Sequence, residues 1–230
     1  EEPWISGTSG SGTVFFSGCN LRCVFCQNHN IALGKAGRVI APEHLAEIFL
    51  QLQEQGANNI NLVTPTHFLP QIVIALEQAK QQGLHLPIVY NTGSYESPEA
   101  LRPLEGLVDI YLPDLKYFSP ELSTAYSHAP DYFETACAAI SEMYRQVGDS
   151  VIDEDTGLMQ HGMIVRHLLL PGQTKDSKKI LRYLHETYGD HIYISIMNQY
   201  TPLPQVADIE VLNRTVTPEE YDRVLRFAGR

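Results

Sequence analysis

The chain has 230 residues, 43% of them hydrophobic, enough for one domain with a full core and within the size range of barrel folds. Its net charge of −11 argues against non-specific binding to nucleic acid or to an anionic membrane surface, though it leaves room for a local basic pocket. Apolar runs such as Ile72–Leu76 and His167–Leu170 are far too short to span a bilayer, and no charged-then-apolar leader is read at the start. In chain order, Thr13–Ser17 reads as a short apolar strand that runs into a cysteine-bearing loop. Pro42–Gln55 reads as a helix: Pro42 suits an early helical position, Leu45, Ile48, Phe49 and Leu52 share one face, and Gly56 ends it. Asn59–Val63 is the second predicted strand. Phe68–Gln82 is amphipathic, with Leu69, Ile72, Val73, Leu76 and Ala79 forming a stripe. Ile88–Asn91 is the third strand, a short helix lies near Pro98–Leu104, and Val108–Leu112 is the fourth strand. Pro120–Ser127 and Tyr132–Val147 form a helical pair, and Val151–Met159 reads as an insertion turning at Asp155-Thr156-Gly157. Gly162–Leu170 and His191–Met197 are the fifth and sixth strands, with helices at Ser177–Tyr188 and Pro218–Phe227.

Strands alternating with helices place the chain in the α/β class, with a parallel sheet and right-handed crossovers. In barrels of this type the chemistry sits at the C-terminal ends of the strands. The residues just past each strand are therefore the ones to weigh.

Just past the first strand come Cys19, Cys23 and Cys26, spaced C-x3-C-x2-C. Three thiolates converging from one short loop can hold three irons of a cubane [4Fe–4S] cluster, leaving the fourth iron open to an outside ligand. A structural zinc site completed by His29 is the competing reading, although zinc favours four protein ligands in paired C-x2-C units. A ferredoxin-type cluster would need a fourth thiolate. Cys137 is the only other cysteine, and its helical setting reads as an ordinary buried thiol. Unpaired thiolates serving as ligands suit a reducing cytoplasm.

This spacing, with aromatic Phe25 before the last cysteine, resembles the radical S-adenosylmethionine (SAM) superfamily. The run from Gly12 to Cys23, the Thr64-Pro65-Thr66-His67 turn and the segment from Val108 to Lys116 together resemble the pyruvate formate-lyase-activating-enzyme-like group, over about Glu2 to Tyr221. The resemblance implies a partial (β/α)6 TIM-type barrel. It also implies that 1–230 is a single core domain, trimmed of the cysteine-containing N-terminal segment that members usually carry. It implies that SAM chelates the open iron and that one electron cleaves its sulfonium. The 5′-deoxyadenosyl radical so formed abstracts hydrogen, as from a glycine of a protein substrate. Flavodoxin or ferredoxin would be the electron donor, and the enzyme would be a cytoplasmic one of oxidoreductase type. Radical modification of a small molecule or peptide is the alternative within enzymes, and a non-catalytic iron–sulfur or zinc-binding module the alternative outside them.

Residue roles follow from the same resemblance. Phe25 would lie beside the adenine. Thr64 and Thr66 stand where such enzymes carry a Gly-Gly-Glu-type segment, so their hydroxyls are candidates for the SAM ammonium; the other reading is a helix N-cap. Asn91, in Asn91-Thr92-Gly93, is a candidate for the ribose. Asp114 and Lys116 would line the SAM pocket, with the lysine on the carboxylate. Arg166, inside the barrel, needs an anionic partner, either SAM or Asp114. His167 should face the opposite side and pack against a helix. Asn198 offers an amide to the adenine or ribose edge.

Overall fold

Short apolar strands separated by amphipathic helices bury both faces when they stand side by side under a helical layer. That arrangement is found in the computed structural model, which describes residues 2–229. The chain runs through α1 (Pro3–Ser6), β1 (Gly12–Phe15), α2 (His29–Ala32), α3 (Pro42–Glu54), β2 (Ile60–Val63), α4 (Leu69–Gln81), β3 (Ile88–Thr92), α5 (Pro98–Leu101) and β4 (Ile110–Pro113). It continues through α6 (Pro120–Ser127), α7 (Tyr132–Val147), β5 (Val151–Ile152), β6 (Met159–Leu168), α8 (Thr174–Tyr188), β7 (Tyr193–Met197) and α9 (Pro218–Ala228). Strands β1, β2, β3, β4, β6 and β7 are parallel and lie in sequence order. The result is a parallel-strand α/β sheet of the partial TIM-type barrel class.

Pairing register sorts the side chains into layers. Thr13, Asn61, Val89 and Ile110 stand at one level, and Phe15, Val63, Asn91 and Leu112 at the next. Beyond them Asp114 bridges to Arg166, which pairs in turn with Ser195. Val89, Ile110, Leu112 and Ile164 form an apolar inner cluster joined by Ile5 of α1. The Asn58 and Asn59 side-chain amides donate to the Ser6 and Ile5 carbonyls, so α1 is fastened across the N-terminal end of the strands. The inside of the sheet is thus apolar at its base and polar toward the strand C-termini.

The alternate residues, among them Leu62, Tyr90 and Tyr111, pack outward under the helices with Phe49, Ile72, Leu76 and Ile140. Each fully buried aliphatic or Phe side chain of this layer contributes about 1.5–3 kcal/mol.

Most element boundaries agree with the sequence reading to within a few residues. Strand β4 starts at Ile110, later than predicted, because the Val108 N–H still bonds to the Leu104 carbonyl and the Asp109 carboxylate accepts the Ile88 N–H. The predicted insertion is a hairpin. Val151 and Ile152 pair antiparallel with His161 and Met159, and the Asp153 carboxylate holds the turn through the Thr156 N–H and hydroxyl at 2.8 Å each. Strand β6 therefore begins at Met159 instead of Gly162, and α8 begins at Thr174 instead of Ser177. Among the described residues no helix is long and apolar enough to cross a membrane.

Candidate active site

The cysteine loop leaves the C-terminal end of β1 and is held on both sides. The Gly18 N–H bonds to Ile31 O at 2.9 Å, the Val24 N–H to Tyr126 O at 2.9 Å and the Arg22 N–H to Ser127 O at 3.3 Å. The last turn of α6 therefore serves as a rest for the loop. Cys19, Cys23 and Cys26 line one cavity of about 250 Å³, together with His29, Arg22 and Gln205. Among the described residues no three His, Cys, Asp or Glu side chains converge tightly enough to hold a single metal ion. Ligands of a cubane stand apart by the width of the cluster itself, so three thiols around one cavity fit a multi-iron cluster. Burial pushes the Cys23 and Cys26 thiols up, while the Lys116 ammonium nearby pulls both back. Cys137 lies on α7 against Tyr183 of α8, outside this cavity, where burial pushes its thiol up to about 11.

Beside the cysteines lies a charged layer. Asp114 Oδ1 is 2.7 Å from Arg166 Nη2, and Asp114 Oδ2 is 2.5 Å from Lys116 Nζ. The Arg166 Nη2 group also donates to Asn91 Oδ1 at 2.7 Å, so β3, β4 and β6 are tied together through one guanidinium. Burial disfavours the Asp114 charge, but Arg166 and Lys116 outweigh it and hold the carboxyl below its usual range. Burial likewise works against the Lys116 charge, and Asp114 and Cys23 raise its pKa in spite of this. Buried Tyr132 sets the backbone here. Its hydroxyl accepts the Lys116 N–H at 3.1 Å and lies 2.9 Å from both the Gly93 and Asp114 carbonyls. A Cβ on Gly93 would meet Leu21 Cδ1 at 3.0 Å, so this glycine lets the turn after β3 approach the cysteine loop.

The turn after β2 differs from its sequence reading. Neither Thr64 nor Thr66 caps the helix: α4 begins after Phe68, with no side-chain cap. The Thr66 side chain instead lies beside Glu96 and Tyr90. Glu96 is buried and accepts two hydroxyls, from Tyr90 at 2.6 Å and from Thr92. Burial still leaves its carboxyl above the usual range. Glu96 fastens the turn after β3 back to that strand, and a lone Glu in a Ser-Tyr-Glu-Ser run carries no local signal of that role. Thr64 adopts φ 56°, a left-handed conformation that is an outlier for a β-branched residue. Its N–H donates to Asn91 O at 2.8 Å.

The remaining candidates separate. The Phe25 ring is buried edge-on against Tyr117 and Tyr200, with centroids at 6.4 and 6.0 Å, so its side chain belongs to an aromatic cluster. Asn198 is exposed just past β7. His167 is buried between Leu115 O and Ser177 Oγ at 2.8 Å each, and so contacts α8. Asn61, absent from the sequence-derived set, shares the inner level of Val89 and Ile110; its polarity in the strand Ile-Asn-Leu-Val was the available signal.

Among the described residues, three buried polar atoms near this inner surface lack a hydrogen-bond partner: Asn61 Oδ1, Ser94 Oγ and Arg166 Nε. Orphaned atoms of this kind call for a ligand or water. Acceptors beside a guanidinium and an ammonium match a zwitterionic nucleoside such as SAM. With three thiols next to them, the residues fit both an [4Fe–4S] cluster and SAM.

Fold and mouth together define an α/β partial-barrel protein with a thiol-lined pocket at the strand C-termini. The Radical SAM superfamily model matches residues 13–184, and the chain belongs to that superfamily. It is 28% identical to the uncharacterized protein MJ0674 of Methanocaldococcus jannaschii, over 96% of this chain and 62% of that one. The chain thus spans less than two thirds of that relative. Among solved structures, anSMEcpe with bound AdoMet superposes with a TM-score of 0.62 at 13% identity, over 94% of this chain and 59% of that one. The same protein with AdoMet and the Kp18Cys peptide gives 0.62 at 13%, over 94% and 58%. HydG, a maturase of the [FeFe]-hydrogenase, gives 0.61 at 13%, over 94% and 48%. At such identity the likeness concerns the fold.

Proposed function

We propose that this chain is a radical SAM enzyme whose Cys19, Cys23 and Cys26 hold a [4Fe–4S] cluster that reductively cleaves SAM, the resulting 5′-deoxyadenosyl radical removing hydrogen from a substrate C–H bond. The observation that carries the reading is the juxtaposition, at one end of the sheet, of three thiols and a charged layer with orphaned polar atoms. Lys116 and Arg166 together carry two positive charges against the single carboxylate of Asp114, which leaves a place for the SAM carboxylate. Asn91 and the Gly93 backbone can orient the ribose, Thr64 can meet the ammonium, and Asn198 can close over the adenine. Thr66, on the same turn beside Glu96, is the second hydroxyl available to the ammonium.

A protein or peptide substrate, with hydrogen taken from a glycine, is the finer form of this proposal. The resemblance of the Val108–Lys116 segment to activating enzymes supports it, as does the shared fold with a protein whose structure holds AdoMet and a peptide. A low-potential donor such as flavodoxin or ferredoxin and a cytoplasmic setting complete it.

The test is anaerobic reconstitution with iron and sulfide, followed by dithionite and SAM. Equimolar 5′-deoxyadenosine and methionine are expected. A protein that takes up one zinc, assembles no cluster and leaves SAM intact would return the chain to the metal-module reading.

A further inference from the structure

Cys23 differs from the other two cysteines in having a hydroxyl aimed at its sulfur. Ser127 Oγ lies 2.9 Å from Cys23 Sγ, and Tyr117 Oη lies 2.6 Å from Ser127 Oγ. Tyr117 is fully buried and Ser127 is 1% exposed, so bulk water does not compete for these groups. The geometry is fixed from both directions. The Ser127 carbonyl accepts the Arg22 N–H while its hydroxyl faces Cys23, and the neighbouring Tyr126 carbonyl accepts the Val24 N–H.

Counting protons orders the relay. A metal-bound thiolate can only accept. Ser127 owns one hydroxyl proton and must give it to Cys23; Tyr117 must then give its own to Ser127. Each donor is thereby satisfied, and both hydrogen bonds point toward the sulfur.

We infer that Tyr117 and Ser127 form a buried hydroxyl relay that raises the reduction potential of the cluster through the Cys23 thiolate. The inference rests on the cluster assignment above. Reduction adds one electron from an external low-potential reductant, and part of the added negative charge falls on the ligating sulfurs. A donor aimed at such a sulfur stabilises the reduced state more than the oxidised one. No proton leaves Ser127 in this step. The two hydroxyls are positioning groups, since neither touches SAM or substrate.

The test is a mediated potentiometric titration of anaerobically reconstituted holoprotein, followed by EPR, for the natural chain, Ser127→Ala and Tyr117→Phe. Ser127→Ala should keep its iron and sulfide content. At a fixed potential its reduced-to-oxidised ratio should fall about tenfold, a shift of about 59 mV to more negative potential for a one-electron couple. Tyr117→Phe keeps the ring and its packing, so it should shift the same way by less, and it decides the matter if Ser127→Ala loses its cluster. Full cluster content with unmoved potentials in Tyr117→Phe and in any loaded Ser127→Ala overturns the relay and leaves the cluster assignment standing. Failure of the natural chain to assemble any cluster overturns both.

Discussion

Asp114 and Arg166 face one another across adjacent parallel strands, Oδ1 to Nη2 at 2.7 Å, and Lys116 holds the other oxygen of the same carboxylate at 2.5 Å. One anion thus separates two cations at the mouth of the sheet, with side chains only 16–19% exposed. Removing that anion leaves two facing positive charges with little water to screen them. Asp114→Asn should therefore destabilise the protein by about 3 kcal/mol, the range for breaking a buried ion pair. The double variant Asp114→Asn/Arg166→Met removes the stranded guanidinium and should recover part of the loss. Urea unfolding of both variants measures the coupling. Equal stability of the natural chain and Asp114→Asn would mean that the pair is solvent-screened.

The cysteine assignment predicts a sharp contrast. Cys19→Ala, Cys23→Ala or Cys26→Ala should each remove most of the iron taken up on reconstitution, because each deletes one of three thiolates. Cys137→Ala should take up as much iron as the natural chain, since Cys137 packs against Tyr183 on the helical layer. Iron and sulfide assays distinguish the cases, and retention of a full cluster in Cys23→Ala would sink the ligand set.

His167 gives the fold an acid-sensitive point. Burial pushes its pKa down to about 4 from the usual 6.5, against the opposing pull of the Leu115 carbonyl and Asp114, and with Lys116 adding to the depression. The folded state therefore keeps the ring neutral where the unfolded chain would protonate it. Its contribution is complete above about pH 6.5 and is lost as the pH falls toward about 4. The full span corresponds to about 3 kcal/mol. At about pH 5 the natural chain should have lost about 2 kcal/mol from this group relative to pH 7. His167→Gln, which cannot titrate, should lose correspondingly less. Matching losses in the two proteins would remove the histidine from the account.

How far the sequence alone reached depended on whether each signal was local. The strands and the major helices showed in the apolar spacing, and the cysteine loop in its own spacing. Arg166 within an apolar strand announced the need for an anion, and Asp114 supplies it. The two-residue strand β5 is too short to carry a period, so the hairpin before β6 read as an insertion. The cap reading of Thr66 failed because α4 starts only after Phe68, and the residue beside it, Glu96, is 30 positions away in a turn that reads as polar loop. Whether a threonine hydroxyl caps its own helix or reaches across to the next strand is settled by sheet register, which neighbouring residues do not encode. The Tyr117–Ser127–Cys23 chain was hidden for the same reason: its serine and cysteine lie 104 positions apart.

Thr64 offers a test in which stability and binding should move in opposite directions. Its φ of 56° places a β-branched residue where Cβ crowds the backbone, at about 1–2 kcal/mol. Glycine adopts that conformation freely, though its added freedom in the unfolded chain returns about 0.5–1 kcal/mol. Thr64→Gly should accordingly raise stability by up to about 1 kcal/mol, while Thr64→Ala should keep most of the strain. If the hydroxyl meets the SAM ammonium, both variants should bind SAM several-fold more weakly, because both lose the acceptor. Melting temperature and the SAM dissociation constant, measured on holoprotein for the two variants, separate the contributions. A more stable Thr64→Gly with undiminished SAM affinity would show that the strained turn serves the strand crossing at Asn91, to whose carbonyl the Thr64 N–H is bonded, and leaves the ammonium to other acceptors.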